Sequence, residues 1–158
     1  MRRKQKYYFG LALLMLLLPA LFLSSRKVSK KKELIDALKA SKLSQEQQRI
    51  VYAIAAHETG NFTSKLCLNY NNCFGMGDAK VRTEASTGYV DLGGMAYNTY
   101  SSPAQSLEDF LLWWKYHGKS IPNSMKETIR YMKDKKYFTD IFDNYYNATK
   151  KWYDQWKY

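Results

Sequence analysis

The chain of 158 residues is long enough for one domain, and its 46% hydrophobic and 16% aromatic content is sufficient for a packed core. Its formal net charge is +11, but residues 1–32 contain nine basic residues and no acidic residue, which leaves +2 for residues 33–158. A globular part that is nearly balanced in charge excludes a strongly basic nucleic-acid-binding face, so we expect no nucleic-acid partner.

Residues 1–25 are predicted to be a signal peptide or a signal anchor. Four of residues 1–6 are basic, and residues 7–23 form an apolar run that would be about 25 Å long as a helix, slightly short of a typical hydrocarbon core. The residues around Pro19 lack a clean Ala-x-Ala cleavage site, which favours an uncleaved anchor over a cleaved signal. Both flanks are basic, so the orientation stays open. The segment predicts a membrane partner.

Residues 26–43 are predicted to contain a basic linker, residues 26–32, and a short amphipathic helix, residues 33–40. The main domain is predicted over residues 44–158.

The main domain is predicted to open with a helix that begins at Ser44 and ends before Gly60. Ser44 is suited to the N-cap and Gln47 to the reciprocal position of a capping box, while Gly60 is typical of a helix C-terminus. An apolar stripe with helical spacing lies between them, formed by Ile50, Val51, Ile54 and Ala55. The stripe predicts that this helix faces a core.

Glu58 stands at the end of this stripe. A carboxyl held against apolar surface has a raised pKa, as a general acid requires. A carboxylate near a helix C-terminus also opposes the macrodipole, so the position is unfavourable without a specific reason. The alternative is an ordinary solvated side chain.

Residues 61–77 are predicted to form a short helix and a loop. Asn71 and Asn72 tolerate left-handed backbone geometry and carry amides suited to acetamido or hydroxyl contacts, but by themselves they are better explained by turn formation. Cys67 and Cys73 are either two buried thiols or, in an oxidising compartment, a local disulfide. Their spacing, with no histidine nearby, makes a poor zinc site, so we expect no metal.

Residues 80–100 are predicted to form a β-hairpin or a small three-stranded lobe, with residues 81–84 and 94–100 as strands and turns at residues 86–88 and 91–94.

Three helical regions are predicted after the lobe. The first has Ser102 as N-cap and ends at Gly118. Neighbouring Trp113 and Trp114 point about 100° apart, so one of them should face away from the core and either pack against a neighbouring helix or contact a ligand. The second begins at Ser124. The third lies within residues 138–156, with core candidates Ile141, Phe142, Tyr145, Tyr146, Trp152 and Trp156.

Three segments, in this order, resemble a known family: residues 55–60 (AAHETG), residues 71–76 (NNCFGM) and residues 97–110 (YNTYSSPAQSLEDF). They are similar to the signature of glucosaminidase domains, glycoside hydrolase family 73 of the lysozyme-like superfamily. The resemblance covers roughly residues 44–150. It implies a mainly α (α+β) fold, a lysozyme-like helical domain with a small β-hairpin lobe flanking a substrate groove. Cys73 and Gly77 depart from the pattern, which has an apolar residue and often a lysine there.

The resemblance also implies site residues. Glu58 would be the catalytic acid, and Glu84 would be the second carboxylate, which activates water or stabilises oxocarbenium charge. Asp78 and Asp91 are rivals for that second role, and Glu84 is alternatively an ordinary charged residue on an exposed strand.

Four substrate-binding residues are predicted from the same comparison. Asn72 and Phe74 become groove candidates, and Tyr97 and Tyr100 join them on the lobe, where Tyr100 matches the strand-end tyrosine of the family.

The implied activity is hydrolysis of β-1,4 bonds next to N-acetylglucosamine in peptidoglycan or a related aminosugar polymer, without cofactor or metal. Such a domain would lie outside the cytoplasm, membrane-anchored or secreted. The alternatives are a muramidase or lytic transglycosylase of the same superfamily, a non-catalytic glycan-binding or scaffold module, and a membrane-anchored nucleic-acid binder, which the charge distribution disfavours. The sequence leaves the oligomeric state open.

Overall fold

The computed structural model describes residues 3–157, with side chains described from residue 22 onward. Within this range there are six helices and two strands. They are α1 (Arg3–Ala40), α2 (Gln45–Glu58), α3 (Lys65–Tyr70), β1 (Gly88–Leu92), β2 (Met95–Thr99), α4 (Pro103–Tyr116), α5 (Met125–Asp134) and α6 (Phe142–Gln155). The mainly helical fold with a small β lobe, as predicted, is confirmed.

Residues 26–32, predicted as a basic linker, continue α1 without a break. The segment contains no glycine or proline, and i,i+4 hydrogen bonds support it, from Ser29 to Glu33 at 2.7 Å and from Lys32 to Asp36 at 2.6 Å. The guanidinium of Arg26 also donates to the carbonyl of Leu68 at 2.7 Å, so this part of α1 is attached to the domain.

The segment predicted to be a signal peptide or anchor, residues 1–25, lies largely outside the residues whose side chains are described. In the described part of the chain, no helix is both long and apolar enough to cross a membrane.

Serine caps begin four of the helices, three of them at predicted positions. In α2 the hydroxyl of Ser44 accepts from the backbone N–H of Gln47 at 3.2 Å, and the Gln47 side chain accepts from the Ser44 N–H at 2.9 Å, which confirms the capping box. The hydroxyls of Ser102 and Ser124 cap α4 and α5 by accepting from the N–H groups of Gln105 and Glu127, without the reciprocal bond, and Ser64 caps α3.

Helix α2 is the centre of the core. Residues 50–56 are all buried, and α2 packs mainly against α6 and also against α1. The ring of Tyr52 lies 4.4 Å from that of Trp156, just after α6, while Leu34 and Leu38 of α1 are fully buried. Because α2 is covered on several sides, its C-terminal residue is delivered to the edge of an apolar core.

Both tryptophans of α4 are buried in the core, so neither faces away from it, and of the two predicted roles packing against a neighbouring helix is the one observed. Trp114 stacks on Tyr131 of α5 with ring centroids 5.1 Å apart, and Trp113 meets Tyr137 edge-on at 5.2 Å. The two side chains diverge, but different neighbours cover each direction.

The β lobe is a two-stranded antiparallel hairpin in which Gly88 pairs with Thr99 and Leu92 with Met95. Gly93 and Gly94 form the two-residue turn with φ of 68° and 83°, as a type I′ turn requires. The predicted turn at residues 91–94 is therefore confirmed. The predicted strand at residues 81–84 and turn at residues 86–88 are wrong, because residues 81–84 are irregular and Gly88 opens β1.

Two further predictions concern buried side chains. Cys67 and Cys73 are buried free thiols with their sulfur atoms 3.1 Å apart.

In the last helical region Tyr145 and Trp156 are buried, whereas Ile141 is 67% exposed. Ile141 is not a core residue because it occupies the N-cap of α6, outside the helical stripe.

Candidate active site

Glu58 is the last residue of α2, and the chain after it turns sharply. Gly60, Asn61 and Phe62 have φ of 55°, 61° and 63°, a left-handed run that costs free energy at the two non-glycine positions. The hydroxyl of Thr59 stabilises the turn by donating to the carbonyl of Ala55 at 2.6 Å and accepting from the N–H of Phe62 at 2.8 Å. Phe62 is fully buried and anchors the turn, so the position of Glu58 is fixed from both sides.

The carboxyl of Glu58 is held by a tyrosine from α6. The hydroxyl of Tyr145 donates to Oε1 of Glu58 at 2.5 Å. Burial raises the pKa of the Glu58 carboxyl, and the hydrogen bond from Tyr145 partly opposes the rise. The result is an acid that keeps its proton to higher pH than an exposed glutamate, in one defined orientation.

Aromatic side chains support Tyr145 and surround the acid. Phe138 stacks on Tyr145 with ring centroids 3.7 Å apart, and His57 meets its ring edge-on at 4.5 Å. Tyr137 donates its hydroxyl to the carbonyl of Phe74 at 2.5 Å, and its pKa is raised first by burial and then by the charge of Glu58. These rings keep water from one side of the carboxyl.

The loop after α3 brings Gly75 to the other side of Glu58. A Cβ at Gly75 would lie 3.4 Å from Oε2 of Glu58, and φ at Gly75 is 64°, so both space and backbone conformation favour glycine. Asn72 shapes the loop: its amide donates to the carbonyls of Met76 and Asn98, each at 2.8 Å, and its oxygen accepts from the Met76 N–H at 3.0 Å.

Three of the four predicted substrate-binding residues lie in the core and not in a groove. Asn72 is 0% exposed, Phe74 1% and Tyr100 4%. Phe74 stacks on Phe110 at 4.5 Å, and the Tyr100 hydroxyl donates to Asp109 at 2.6 Å. Their apolar and amide surfaces are already used by the protein, so in this structure these three residues present no surface to a sugar.

Tyr97 is the predicted groove residue that keeps accessible surface, since it is half-buried on β2. It forms a bridge with Gly77 of the loop that follows Gly75. The bridge therefore joins the β lobe to the loop after α3, which carries Gly75.

Glu84 uses its carboxylate inside its own loop. One oxygen accepts from the N–H of Ala79 and the other from the hydroxyl of Ser86 at 3.1 Å. The rivals Asp78 and Asp91 are both exposed, and Asp91 accepts from the turn N–H of Gly94 at 2.9 Å. In this conformation the bonds of Glu84 organise residues 79–86.

The same loop is attached to α4 by a buried ion pair whose role the sequence reasoning missed. Asp109 is 0% exposed and accepts from two guanidinium nitrogens of Arg82 at 2.7 and 3.1 Å, from Tyr100, and from the N–H of Ala85 at 3.3 Å. Burial raises the pKa of Asp109, but these hydrogen bonds and the charge of Arg82 together bring it below the usual range. The sequence signal was an acid inside the apolar run of α4.

A cavity of about 240 Å³ lies beside the acid, and we call it the Gly75 cavity. It is lined by Gly75, Met76, Gly77, Asp78, Ala79, Arg82, Trp113, Lys136 and Tyr137. Glu58 does not itself line the cavity, but Gly75 lies against its Oε2, and the charge of Glu58 raises the pKa of Tyr137.

Tyr145→Phe is expected to raise the pKa of Glu58 further, because the hydrogen bond that stabilises the carboxylate is lost while burial is kept. A ¹³C NMR titration of the glutamate carboxyl carbons measures this, with the Glu58 signal assigned by its absence in Glu58→Gln.

The matched control is Tyr153→Phe, because the Tyr153 hydroxyl donates to Glu46 at the other end of α2. It should leave the Glu58 titration unchanged. A Glu58 pKa that stays constant or falls in Tyr145→Phe would contradict the assigned hydrogen bond.

A mainly helical domain with a small β hairpin, and with a half-buried glutamic acid at the end of its central helix, is the arrangement expected of a lysozyme-like glycosidase. The family described as mannosyl-glycoprotein endo-beta-N-acetylglucosaminidase (Glucosaminidase) matches residues 35–157, and the chain belongs to this family. The family implies glycoside hydrolase activity on a peptidoglycan-type glycan. Searches of curated proteins and of solved structures gave no significant match. The family match begins inside α1, earlier than the predicted domain start at Ser44.

Proposed function

We propose that the chain is an endo-β-N-acetylglucosaminidase that cleaves β-1,4 bonds in peptidoglycan with Glu58 as general acid. The observation that carries the proposal is the Glu58 carboxyl, whose pKa burial raises and whose orientation Tyr145 fixes. A general acid of this kind needs its proton near neutral pH and within reach of the leaving oxygen.

In the proposed reaction Glu58 gives its proton to the glycosidic oxygen as the bond from C1 of the sugar to that oxygen breaks. Positive charge develops at C1 and the ring oxygen. Water then adds to C1 and gives a proton to the Glu58 carboxylate, which restores the acid. Neither step needs a metal or a cofactor, since the proton comes from the protein and the nucleophile from solvent.

Two groups are candidates for stabilising the charge at C1. Glu84 would have to exchange its bonds to Ala79 and Ser86 for a position facing the sugar. The N-acetyl carbonyl of the substrate is the other candidate, and it would leave Glu84 as the residue that orders residues 79–86. Comparing Glu84→Gln with Glu58→Gln separates these roles, because only a direct role predicts a loss of similar size.

We also propose an extracytoplasmic location, since the proposed substrate lies there. The basic residues 1–6 and the apolar residues 7–23 support membrane association or export.

The test is digestion of purified peptidoglycan by the full chain, with mass spectrometry of the released fragments. We expect reducing-end N-acetylglucosamine from the wild type and none from Glu58→Gln. Reducing or anhydro-muramic ends would instead assign the chain to the muramidases or lytic transglycosylases. Retained binding without any release would indicate a glycan-binding module.

A further inference from the structure

Lys136 occupies a backbone position that normally takes glycine. Helix α5 ends in a Schellman motif, in which the N–H of Tyr137 donates to the carbonyl of Met132 at 2.9 Å and the N–H of Lys136 to that of Lys133 at 3.0 Å. Lys136 is the left-handed residue of the motif, with φ of 57°. A lysine there costs backbone free energy that glycine would avoid, so its presence suggests that the side chain has a function.

The side chain of Lys136 lines the Gly75 cavity, of which Gly75 and Tyr137 also adjoin Glu58. A group bound in this cavity would therefore be a neighbour of any glycosidic bond held at Glu58.

Of the two basic residues that line the cavity, Lys136 is the one available to bind an anion. Arg82 also lines the cavity, but its side chain is 4% exposed and paired with the buried Asp109 at 2.7 Å. Lys136 is exposed, and among the described residues it takes part in no ion pair. Asp78 is the exposed anion of the cavity, and it lowers the affinity for an anion without neutralising Lys136 through contact.

We propose that Lys136 binds a carboxylate carried by the glycan, in a subsite next to the cleaved bond. The proposal rests on the proposed function and names the substrate feature that the cavity selects, a negatively charged substituent. Two sources have this chemistry: the lactyl carboxylate, which is free in strands stripped of peptide, and the carboxylates of the stem peptide in intact material.

The test compares steady-state kinetics of the full chain on three soluble substrates: peptide-bearing glycan strands, peptide-stripped strands and neutral N-acetylglucosamine oligomers. Lys136→Gly and Lys136→Met are expected to raise KM on a carboxylate-bearing substrate about three- to fivefold with kcat unchanged, the size of a solvent-exposed charge interaction. They should leave the neutral oligomers unaffected, and Lys136→Arg should stay close to wild type.

Lys135→Met is the matched control, because Lys135 is an exposed neighbour that does not line the cavity. Lys136→Gly should also melt at the same or a higher temperature, which separates a binding defect from a folding defect. A KM effect on the stripped strands identifies the lactyl carboxylate, and an effect confined to the peptide-bearing strands identifies the stem peptide.

Two results would overturn the proposal: equal KM changes on charged and neutral substrates, or no change on either charged substrate. Failure of this proposal can be distinguished from failure of the proposed function. If only the carboxylate subsite is wrong, the wild type turns over substrate and Glu58→Gln abolishes that turnover. If the proposed function is wrong, the wild type shows no turnover. Without turnover, sedimentation with insoluble peptidoglycan decides: equal binding by wild type and Lys136→Gly contradicts the subsite.

Discussion

Glu58→Gln is expected to lower the rate of glycan hydrolysis by about 10²- to 10⁴-fold, the contribution of a general acid, while binding is retained. Glutamine has nearly the same shape, and its carbonyl oxygen can accept the hydrogen bond from Tyr145. The loss would therefore report the missing proton and not a collapsed site. The measurement is initial rates on soluble glycan strands together with sedimentation on insoluble peptidoglycan.

The same substitution is expected to stabilise the fold at neutral pH. The pKa of Glu58 is raised in the folded protein, first by burial, so its stabilising contribution is complete below the unfolded pKa and is lost as pH rises through the folded pKa. Glutamine never ionises. The melting temperature of Glu58→Gln should therefore exceed that of the wild type near neutral pH and converge with it in acid.

Glu46→Gln is the control on the same helix, since Glu46 also accepts a tyrosine hydroxyl but lies in the first turn of α2. It should retain activity and gain no stability at neutral pH. Full activity in Glu58→Gln, or a loss of equal size in Glu46→Gln, would rule out Glu58 as the acid.

The parts of the fold that depend on short sequence stretches could be predicted. The caps at Ser44, Ser102 and Ser124, the turn at residues 91–94 and the position of Glu58 at the end of α2 all follow from residues within one or two turns. Residues 81–84 could not be predicted from neighbouring residues, because Arg82 is held by Asp109 across 27 positions and not by a strand partner.

The site was predicted only where its residues carry their own signal. Glu58 stands out because an acid ends an apolar helix, but its partner Tyr145 is 87 positions away and looks like a core aromatic. Asn72 and Tyr100 mislead in the opposite direction. Their polar groups suggest sugar contacts, yet they satisfy buried backbone and carboxylate groups, a use that depends on tertiary structure alone.

Asp109→Asn is expected to destabilise the fold by about 3–5 kcal/mol, because it leaves the buried guanidinium of Arg82 without its counter-charge. The two side chains are 0% and 4% exposed, so the guanidinium would lose its main partner with little solvent in contact to replace it. That loss is a large fraction of the stability of a typical domain. Chemical denaturation at neutral pH measures it, and the exposed pair Lys150–Asp154 supplies the control, since Asp154→Asn should cost about 0–1 kcal/mol.

Two further comparisons separate the ion pair from simple packing. The pKa of Asp109 is lowered by its hydrogen bonds and by Arg82 against the effect of burial, so its stabilising contribution is present above the unfolded pKa and is lost as pH falls through the folded pKa. The gap between wild type and Asp109→Asn should therefore narrow in acid. The double variant Arg82→Met/Asp109→Leu should recover part of the loss, because no buried charge is left unpaired. If the double variant loses as much unfolding free energy as the two single substitutions lose together, shape and not charge attaches residues 79–86 to α4.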